Sequence, residues 1–392
     1  MGHKEKIVFG IIMKKVEDIA VLTSFLENAS KFGHLIDKLI IVYQFPINIK
    51  IIKKLEKYCE IFPVQAGKSS FLTNSLKRVG LENKEISYLL NMSTVEKYET
   101  IAYGTSRNHV LLAAIFLGAH YLCFFDADVF PKILKAGYEK QYFFEEIDFV
   151  GSHLKYLKQN KNIVVTTSDY TGYFIIPGMD FTGLDKLLFG LQKEADYEFI
   201  ATIDAPIVQE KTLQNIFKTD KVLGGNLAIN LNKVKMVPPF FSTNLVIDNE
   251  CIKGRGEDTA FAPLINKNNG ICMDIDLLIF HNCFGDFPNK PDIKCQKNID
   301  RFYYACIGWI IRNPFYNWLN SIYIGNKNAI NKKERFAALE IGSKAAVKYF
   351  NDKRFFNLPK AFNMAYAKLD KDIESFQRLL KIWSKIQNYY SA

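Results

Sequence analysis

The sequence has no Cys-x-x-Cys pair: its seven cysteines, at 59, 123, 251, 272, 283, 295 and 306, are scattered, and several lie in apolar segments. That spacing favours neither a zinc site nor a disulfide framework, and it predicts reduced core thiols in a cytosolic protein. No secretory leader is visible, because Met1-Gly-His-Lys-Glu-Lys runs straight into a β-branched stretch. Long apolar runs are missing too. The longest, Val110 to Phe125, is interrupted by Gly118 and His120, and it divides into a helix and a strand better than it spans a bilayer. There is no internal repeat. The turn Leu223-Gly-Gly-Asn-Leu-Ala-Ile229 lacks the spacing of a dinucleotide-binding glycine fingerprint, so no NAD site is read there. It leaves either a close approach of ligand to the bare backbone at Gly225 or an ordinary bulge. With 48% hydrophobic and 23% charged residues, the 392 residues suit one large or two ordinary globular domains without extended disorder.

What is present begins as an alternation. Ile7–Met13 predicts a first strand, Ile19–Phe32 an apolar-periodic helix and Leu39–Tyr43 a second buried strand. A lysine-rich helix over Ile51–Tyr58 leads to Ile61-Phe-Pro-Val64, where Pro63 predicts an edge position. The order implies a Rossmann-like parallel sheet. Residues 65–100 are polar and poorly periodic, which predicts loops and short helices. Thr105 or Ser106 can cap a helix opening with Arg107 and Asn108 and stopping at Gly118.

The chain is organised around Tyr121-Leu-Cys-Phe-Phe-Asp-Ala-Asp-Val-Phe-Pro131. Five bulky apolar residues predict a strand buried on both faces, and it ends abruptly at Asp126 and Asp128. Ligands of open α/β sheets bind at that carboxyl end. Two carboxylates there repel each other unless a cation sits between them, and oxygen ligands suit Mg²⁺ or Mn²⁺ holding phosphates. Taken alone, the same residues also read as an Asp-rich turn. Further strands are predicted at Asp148–Ser152, Ile163–Thr167, Tyr173–Ile176 and Met273–Phe280, the last ending at His281, a usable metal ligand. The glycine-flanked loop Lys253–Phe261 carries Glu257 and Asp258, either as catalytic acids or as favourable charges at a helix N-terminus.

Charge is uneven. Residues from Lys294 onward hold 18 Lys and Arg against 7 Asp and Glu, which leaves 33 against 34 in residues 1–293. The pattern there turns helical and aromatic, with Phe302, Tyr303, Tyr304, Trp309, Phe315, Tyr316 and Trp318. Residues 294–392 are therefore expected to form a basic helical subdomain, either packed on the rest or touching an anionic membrane. Nucleic acid is a poor partner, since no recognised binding motif accompanies the charge.

Three blocks in order, Ser106-Arg-Asn108, Asp126-Ala-Asp128 and Gly256-Glu-Asp258, resemble a nucleotide-sugar-dependent glycosyltransferase of the GT-A fold. The likeness covers residues 7–285. It implies an α/β domain over 1–293, with a mixed, mainly parallel sheet flanked by helices. A nucleotide-binding half would end near 131 and an acceptor-binding half near 293. It also implies a UDP- or GDP-sugar donor, a hydroxyl acceptor, and Mn²⁺ or Mg²⁺ held by Asp126, Asp128 and His281. Asp126 would also sit near the ribose, and Arg107 and Asn108 would shape the donor pocket, with Lys14 at the nucleotide base. Asp258 would be the base of an inverting enzyme. The length, the Gly224-Gly225 turn and the helical tail also resemble retaining enzymes of the mannosylglycerate synthase type, in which the acid at 258 would bind acceptor. A nucleotidyltransferase would carry a glycine-rich loop after the first strand, where this chain has Lys14-Lys-Val-Glu-Asp18. The acids retained in three blocks speak against a non-catalytic binding protein.

Overall fold

The computed structural model describes residues 5–45, 47–92, 101–209, 211, 213–325 and 331–390. Eight strands form the central sheet. They are β1 (Ile7–Met13), β2 (Ile36–Tyr43), β3 (Glu60–Gln65), β4 (Tyr121–Phe125), β5 (Ile163–Thr167), β6 (Phe217–Lys218), β7 (Asn226–Asn230) and β8 (Ile271–Asp274). Their order is β6-β8-β5-β7-β4-β1-β2-β3. Strands β1 to β5 and β8 run one way, and β6 and β7 run against them. This is the mixed, mainly parallel sheet that the sequence implied, with Pro63 on the edge strand β3 as expected.

All five residues of β4 are buried, because each face of the strand has its own cover. On one face Phe125 stacks on Phe25 of helix α1 (Ala20–Lys31) with centroids 3.9 Å apart, and Phe9 meets both edge-on. On the other lies helix α2 (Tyr103–Phe116). Gly10 of β1 makes that approach possible, since a Cβ there would stand 2.3 Å from Val110 Cγ1.

Local expectations failed in four places. Asp148–Ser152 is the start of helix α3 (Phe149–Gln159), because the Asp148 carboxylate caps it by accepting the Gly151 N–H at 2.8 Å. A short apolar run does not by itself separate strand from helix. Tyr173–Ile176 is irregular, and the strand is the preceding pair Tyr170–Thr171. Met273–Phe280 is divided: β8 stops at Asp274, and Ile279–His281 joins a separate three-stranded sheet. Helix α2 starts at Tyr103 without a side-chain cap, and Thr105 instead donates to the Met92 carbonyl at 2.5 Å. Within 65–100, helices occupy Ser70–Arg78 and Asn83–Asn91, and 93–100 lie outside the described residues.

Beyond residue 294 come α4 (Gln296–Tyr323), α5 (Lys332–Phe350) and α6 (Asn357–Tyr389). Their aromatics pack inward: Phe302, Trp309 and Phe315 are buried, and Trp383 donates its indole N–H to the Val237 carbonyl at 2.8 Å. One apolar cluster joins Leu187, Ile200 and Ile247 to Phe302, Ile310 and Leu339, so the core runs across position 294. Part of the positive excess faces acids of the first 293 residues, with Arg335–Glu194 at 2.6 Å and both Lys360–Asp248 and Lys385–Glu85 at 2.7 Å. Among the described residues no helix is long and apolar enough to cross a membrane.

Two histidines are wholly enclosed. His109 accepts the Gly67 N–H at 3.0 Å and bonds the Thr105 carbonyl at 2.6 Å. His153 lies between Thr166 Oγ1 at 2.8 Å and Asn226 Oδ1 at 3.2 Å. Burial pushes His109 down from 6.5 to about 4 and His153 down to about 3. The unfolded chain therefore binds protons that the folded one excludes. Stability from this source is full above pH 6.5 and falls as pH drops toward 4. Near pH 5 each histidine contributes a slope of about 1.4 kcal/mol per pH unit. Urea unfolding of His153→Gln between pH 5 and 7 should show a slope shallower than that of the parent by about this amount. An unchanged slope would mean that His153 is protonated in the fold.

Candidate active site

The acids that end β4 meet three other parts of the chain. Strand β7 runs antiparallel to β4 with Asn226 opposite Phe125, which sets Gly225 beside Asp126. A Cβ at Gly225 would lie 2.7 Å from both Asp126 Oδ2 and the Tyr170 hydroxyl, so a larger residue would have to displace one or both of them. The approaching groups are side chains of the chain itself, and the Gly225 N–H donates to the Tyr170 oxygen at 3.1 Å. The small sheet completes the arrangement. Val129–Phe130 pairs with Ile279–His281, which pairs in turn with Tyr170–Thr171. With His281 opposite Val129, its Nε2 reaches Asp128 Oδ2 at 3.2 Å, and the Tyr170 and His281 rings lie 4.9 Å apart.

Arg107 joins the remaining pieces. It lies in the second turn of α2 and is 4% exposed. Its guanidinium donates to Glu257 Oε1 at 2.8 Å, to Asp126 Oδ1 at 3.0 Å and to the Gly224 carbonyl at 3.0 Å. The Gly224 N–H donates to Asp258 Oδ2 at 2.9 Å, and the Thr259 N–H to Asp258 Oδ1 at 2.9 Å. One frame thus fixes Asp126, Glu257 and Asp258.

Two residues expected at the donor are engaged within the chain in this structure. Arg107 gives three of its five N–H donors to two carboxylates and a carbonyl, so in this structure it positions other groups of the chain. Asn108 is fully buried, with its amide donating to the Phe240 carbonyl at 2.9 Å and accepting the Phe240 N–H at 2.8 Å. It is a staple between α2 and the 240 segment. Lys14 is exposed just past β1, with its ammonium 5.8 Å from the Phe45 ring, and it touches none of the acids. Glu257 is buried against Arg107, so Asp258 is the more accessible of the two expected catalytic acids.

The charges divide sharply. Burial raises the Asp126 pKa above the ordinary carboxylate value, and nearby Asp128 and Asp258 add to this against the pull of Arg107. Burial also opposes the charge on Asp128, but its bond to His281, with Arg301 behind it, outweighs that and holds the carboxyl low. Glu257 is raised by burial despite Arg107. Tyr170 is pushed well above its ordinary range by burial and then by Asp126 and Asp258, so it remains a neutral phenol.

Several residues around the site were not expected. Tyr170 sits in a two-residue strand with no pattern to mark it. Arg301 and Arg312 come from α4, the first helix of the basic tail, and Arg255 comes from the loop before Glu257. The signal for the first two was the charge excess after Lys294, which by itself points to no particular site.

Among the described residues, no three or more His, Cys, Asp or Glu side chains are grouped to hold a metal. Asp128 and His281 are in contact, whereas Asp126 is drawn toward Arg107. One carboxylate and one imidazole still suit a hard divalent ion that takes its other ligands from water and substrate phosphates. The donor set therefore fits Mg²⁺ or Mn²⁺ through Asp128 and His281.

The Arg107 frame has a measurable consequence. Arg107→Met should cost about 3–5 kcal/mol in urea unfolding, because Glu257 is left buried and unpaired. The double variant Arg107→Met/Glu257→Met should recover most of the loss. If the double variant is as unstable as the single, the ion pair is not what Arg107 contributes.

Searches with family models and among curated proteins find no match to the chain. Among solved structures it is similar to glucosyl-3-phosphoglycerate synthase from Mycobacterium tuberculosis. The form with Mn²⁺, UDP and glucosyl-3-phosphoglycerate is 12% identical over 83% of this chain and 82% of that one, with a TM-score of 0.39. The form with Mg²⁺ and UDP is 14% identical over 83% and 81%, also at 0.39. The form with Mn²⁺, UDP-glucose and phosphoglyceric acid is 13% identical over the same shares and at the same score. Likeness at this level carries no functional weight, and the reading of the site rests on its own residues.

Proposed function

We propose that the chain is a metal-dependent glycosyltransferase that moves a sugar from a nucleotide-diphosphate sugar, UDP- or GDP-linked, to a hydroxyl acceptor. The observation that carries this reading is that the Arg107 frame, which holds Asp126 and Asp258, and the Asp128–His281 pair both stand at the carboxyl end of β4. That end of a central strand is where an open α/β sheet binds its ligand.

The residues divide the work. Asp128 and His281 would hold Mn²⁺ or Mg²⁺, which when bound offsets charge on the departing phosphates. Asp126, fixed by Arg107, would face the ribose of the donor. In the inverting reading the acceptor oxygen attacks the anomeric carbon and its proton passes to Asp258. The bond from that carbon to the phosphate oxygen breaks, and the electron pair leaves with the nucleoside diphosphate. One observation favours the retaining alternative: both Asp258 oxygens already accept backbone N–H bonds, which suits a carboxylate that orients the acceptor.

Thermal melting with UDP- and GDP-sugars in the presence of Mn²⁺ should show a rise for the parent and none for Asp128→Ala. A curve unmoved by every nucleotide sugar would end the donor assignment. For an active donor pair, the anomeric proton of the product followed by NMR separates the two roles of Asp258.

A further inference from the structure

Tyr170 stands among the acids of the site, and the backbone around it is held on several sides. The pair Tyr170–Thr171 runs parallel to Ile279–His281, which sets Tyr170 opposite Ile279. Thr171 fixes the pair, since its hydroxyl accepts the Leu134 N–H at 3.0 Å and donates to the Ile279 carbonyl at 3.4 Å. Gly172 then exchanges two backbone bonds with Ile207, at 3.0 and 2.8 Å. Its φ is +111°, and a Cβ there would lie 2.6 Å from the His281 carbonyl oxygen. The tyrosine segment is therefore pressed against the histidine strand with no side chain between them.

The Tyr170 ring comes to 4.9 Å from the His281 ring, and its hydroxyl meets the Gly224-Gly225 turn. Successive N–H groups of that turn grip two oxygens: Gly224 donates to Asp258 Oδ2 at 2.9 Å and Gly225 to the Tyr170 oxygen at 3.1 Å. On its other side the hydroxyl shares the space above Gly225 with Asp126 Oδ2, both of them 2.7 Å from where a Cβ would stand. The phenol thus lies between His281, Asp126 and Asp258. A hydroxyl that accepts one bond still has a hydrogen to give. Among the described residues no group takes it. The acids around it are engaged otherwise: Arg107 holds Asp126 Oδ1, His281 holds Asp128, and two N–H groups hold Asp258. Burial, with the charges of Asp126 and Asp258, keeps the hydrogen on the phenol. An enclosed donor without an acceptor is costly, so this one calls for an oxygen from a ligand.

In the glycosyltransferase reading above, on which this inference rests, the donor phosphates belong with Asp128 and His281 and the acceptor hydroxyl with Asp258. The bond to be broken lies between the two, which is where the Tyr170 hydroxyl stands. We propose that Tyr170 is a further catalytic residue, whose phenol O–H donates to the phosphate oxygen that leaves the anomeric carbon. As the bond from that carbon to that oxygen breaks, the electron pair goes to the oxygen of the nucleoside diphosphate, and the hydrogen bond strengthens with the growing charge. The phenol keeps its hydrogen throughout, so no proton has to be restored. The contact persists in the product, because the oxygen that left is then a terminal oxygen of the second phosphate. A nucleoside monophosphate has no such oxygen.

That difference supplies the test, which is calorimetric titration of the full chain with UDP, GDP, UMP and GMP in the presence of Mg²⁺. Tyr170→Phe should bind the diphosphate that the parent binds about tenfold more weakly, and the matching monophosphate within about twofold. With a donor sugar that the parent cleaves, kcat for diphosphate release should fall about a hundredfold. Replacing Tyr170 by 3-fluorotyrosine keeps the hydroxyl as a donor and should restore both. If Tyr170→Phe does not fold, the ¹³Cζ resonance of Tyr170 in the parent serves instead: it should move with the diphosphate and stay in place with the monophosphate. A loss shared equally by mono- and diphosphate would mean that the hydroxyl only supports the Gly224-Gly225 turn, and would overturn the proposal, as would no loss at all. Failure of both UDP and GDP to bind the parent would remove the donor reading and this role with it. Binding by the parent that Tyr170→Phe leaves unchanged removes this role alone.

Discussion

A buried guanidinium is costly unless its charge is paired, and this end of the molecule is built around meeting that demand for Arg107. Its acceptors come from three places: the end of β4, the Gly224-Gly225 turn and the loop that carries Glu257. None of these can be displaced without leaving charge in a dry environment. The same cation also permits the acids to gather. Asp126, Glu257 and Asp258 repel one another, and the positive charge among them keeps that repulsion from opening the site. Arg107 therefore determines where Asp126, Glu257 and Asp258 stand.

Much of this was legible in the sequence, and the limits have physical causes. The β4 run was readable because burial on both faces demands uninterrupted apolar residues, and the change to Asp at 126 marks the strand end without ambiguity. His281 was readable by type and place, although its strand was drawn too long; the chain leaves the main sheet after Asp274, and apolar residues continue through the crossing. Arg107 and Asn108 stood out because their side chains suit ligands. Those same donors serve equally well as internal partners, and only the fold shows that Glu257 and Phe240 claim them. Tyr170 was invisible. Its place depends on a two-residue strand in a sheet of three, too short to leave any periodicity.

The charge asymmetry of the chain has a related explanation. Counting charge before and after Lys294 cuts through a single core and separates partners that meet in space. Glu85, Glu194 and Asp248 lie on one side of the cut, and Lys385, Arg335 and Lys360 on the other. Such pairs at the protein surface are screened by solvent, so they give register to the docked tail more than strength. The strength comes from apolar contacts such as those of Trp383 and Phe302.

What the pairs do not absorb points inward. The acids of the site belong to the first 293 residues, and two of its unpaired cations, Arg301 and Arg312, belong to the tail. The acids stand at the end of β4 and on the loop that carries Glu257, and the arginines stand on α4. One apolar cluster joins Phe124 of β4 to Phe315 and Leu319 of α4, so one core sets both positions. Docking of the tail and the electrostatics of the site are therefore one structural event, and the basic excess that the sequence displays so plainly is the part of that event that shows without the fold.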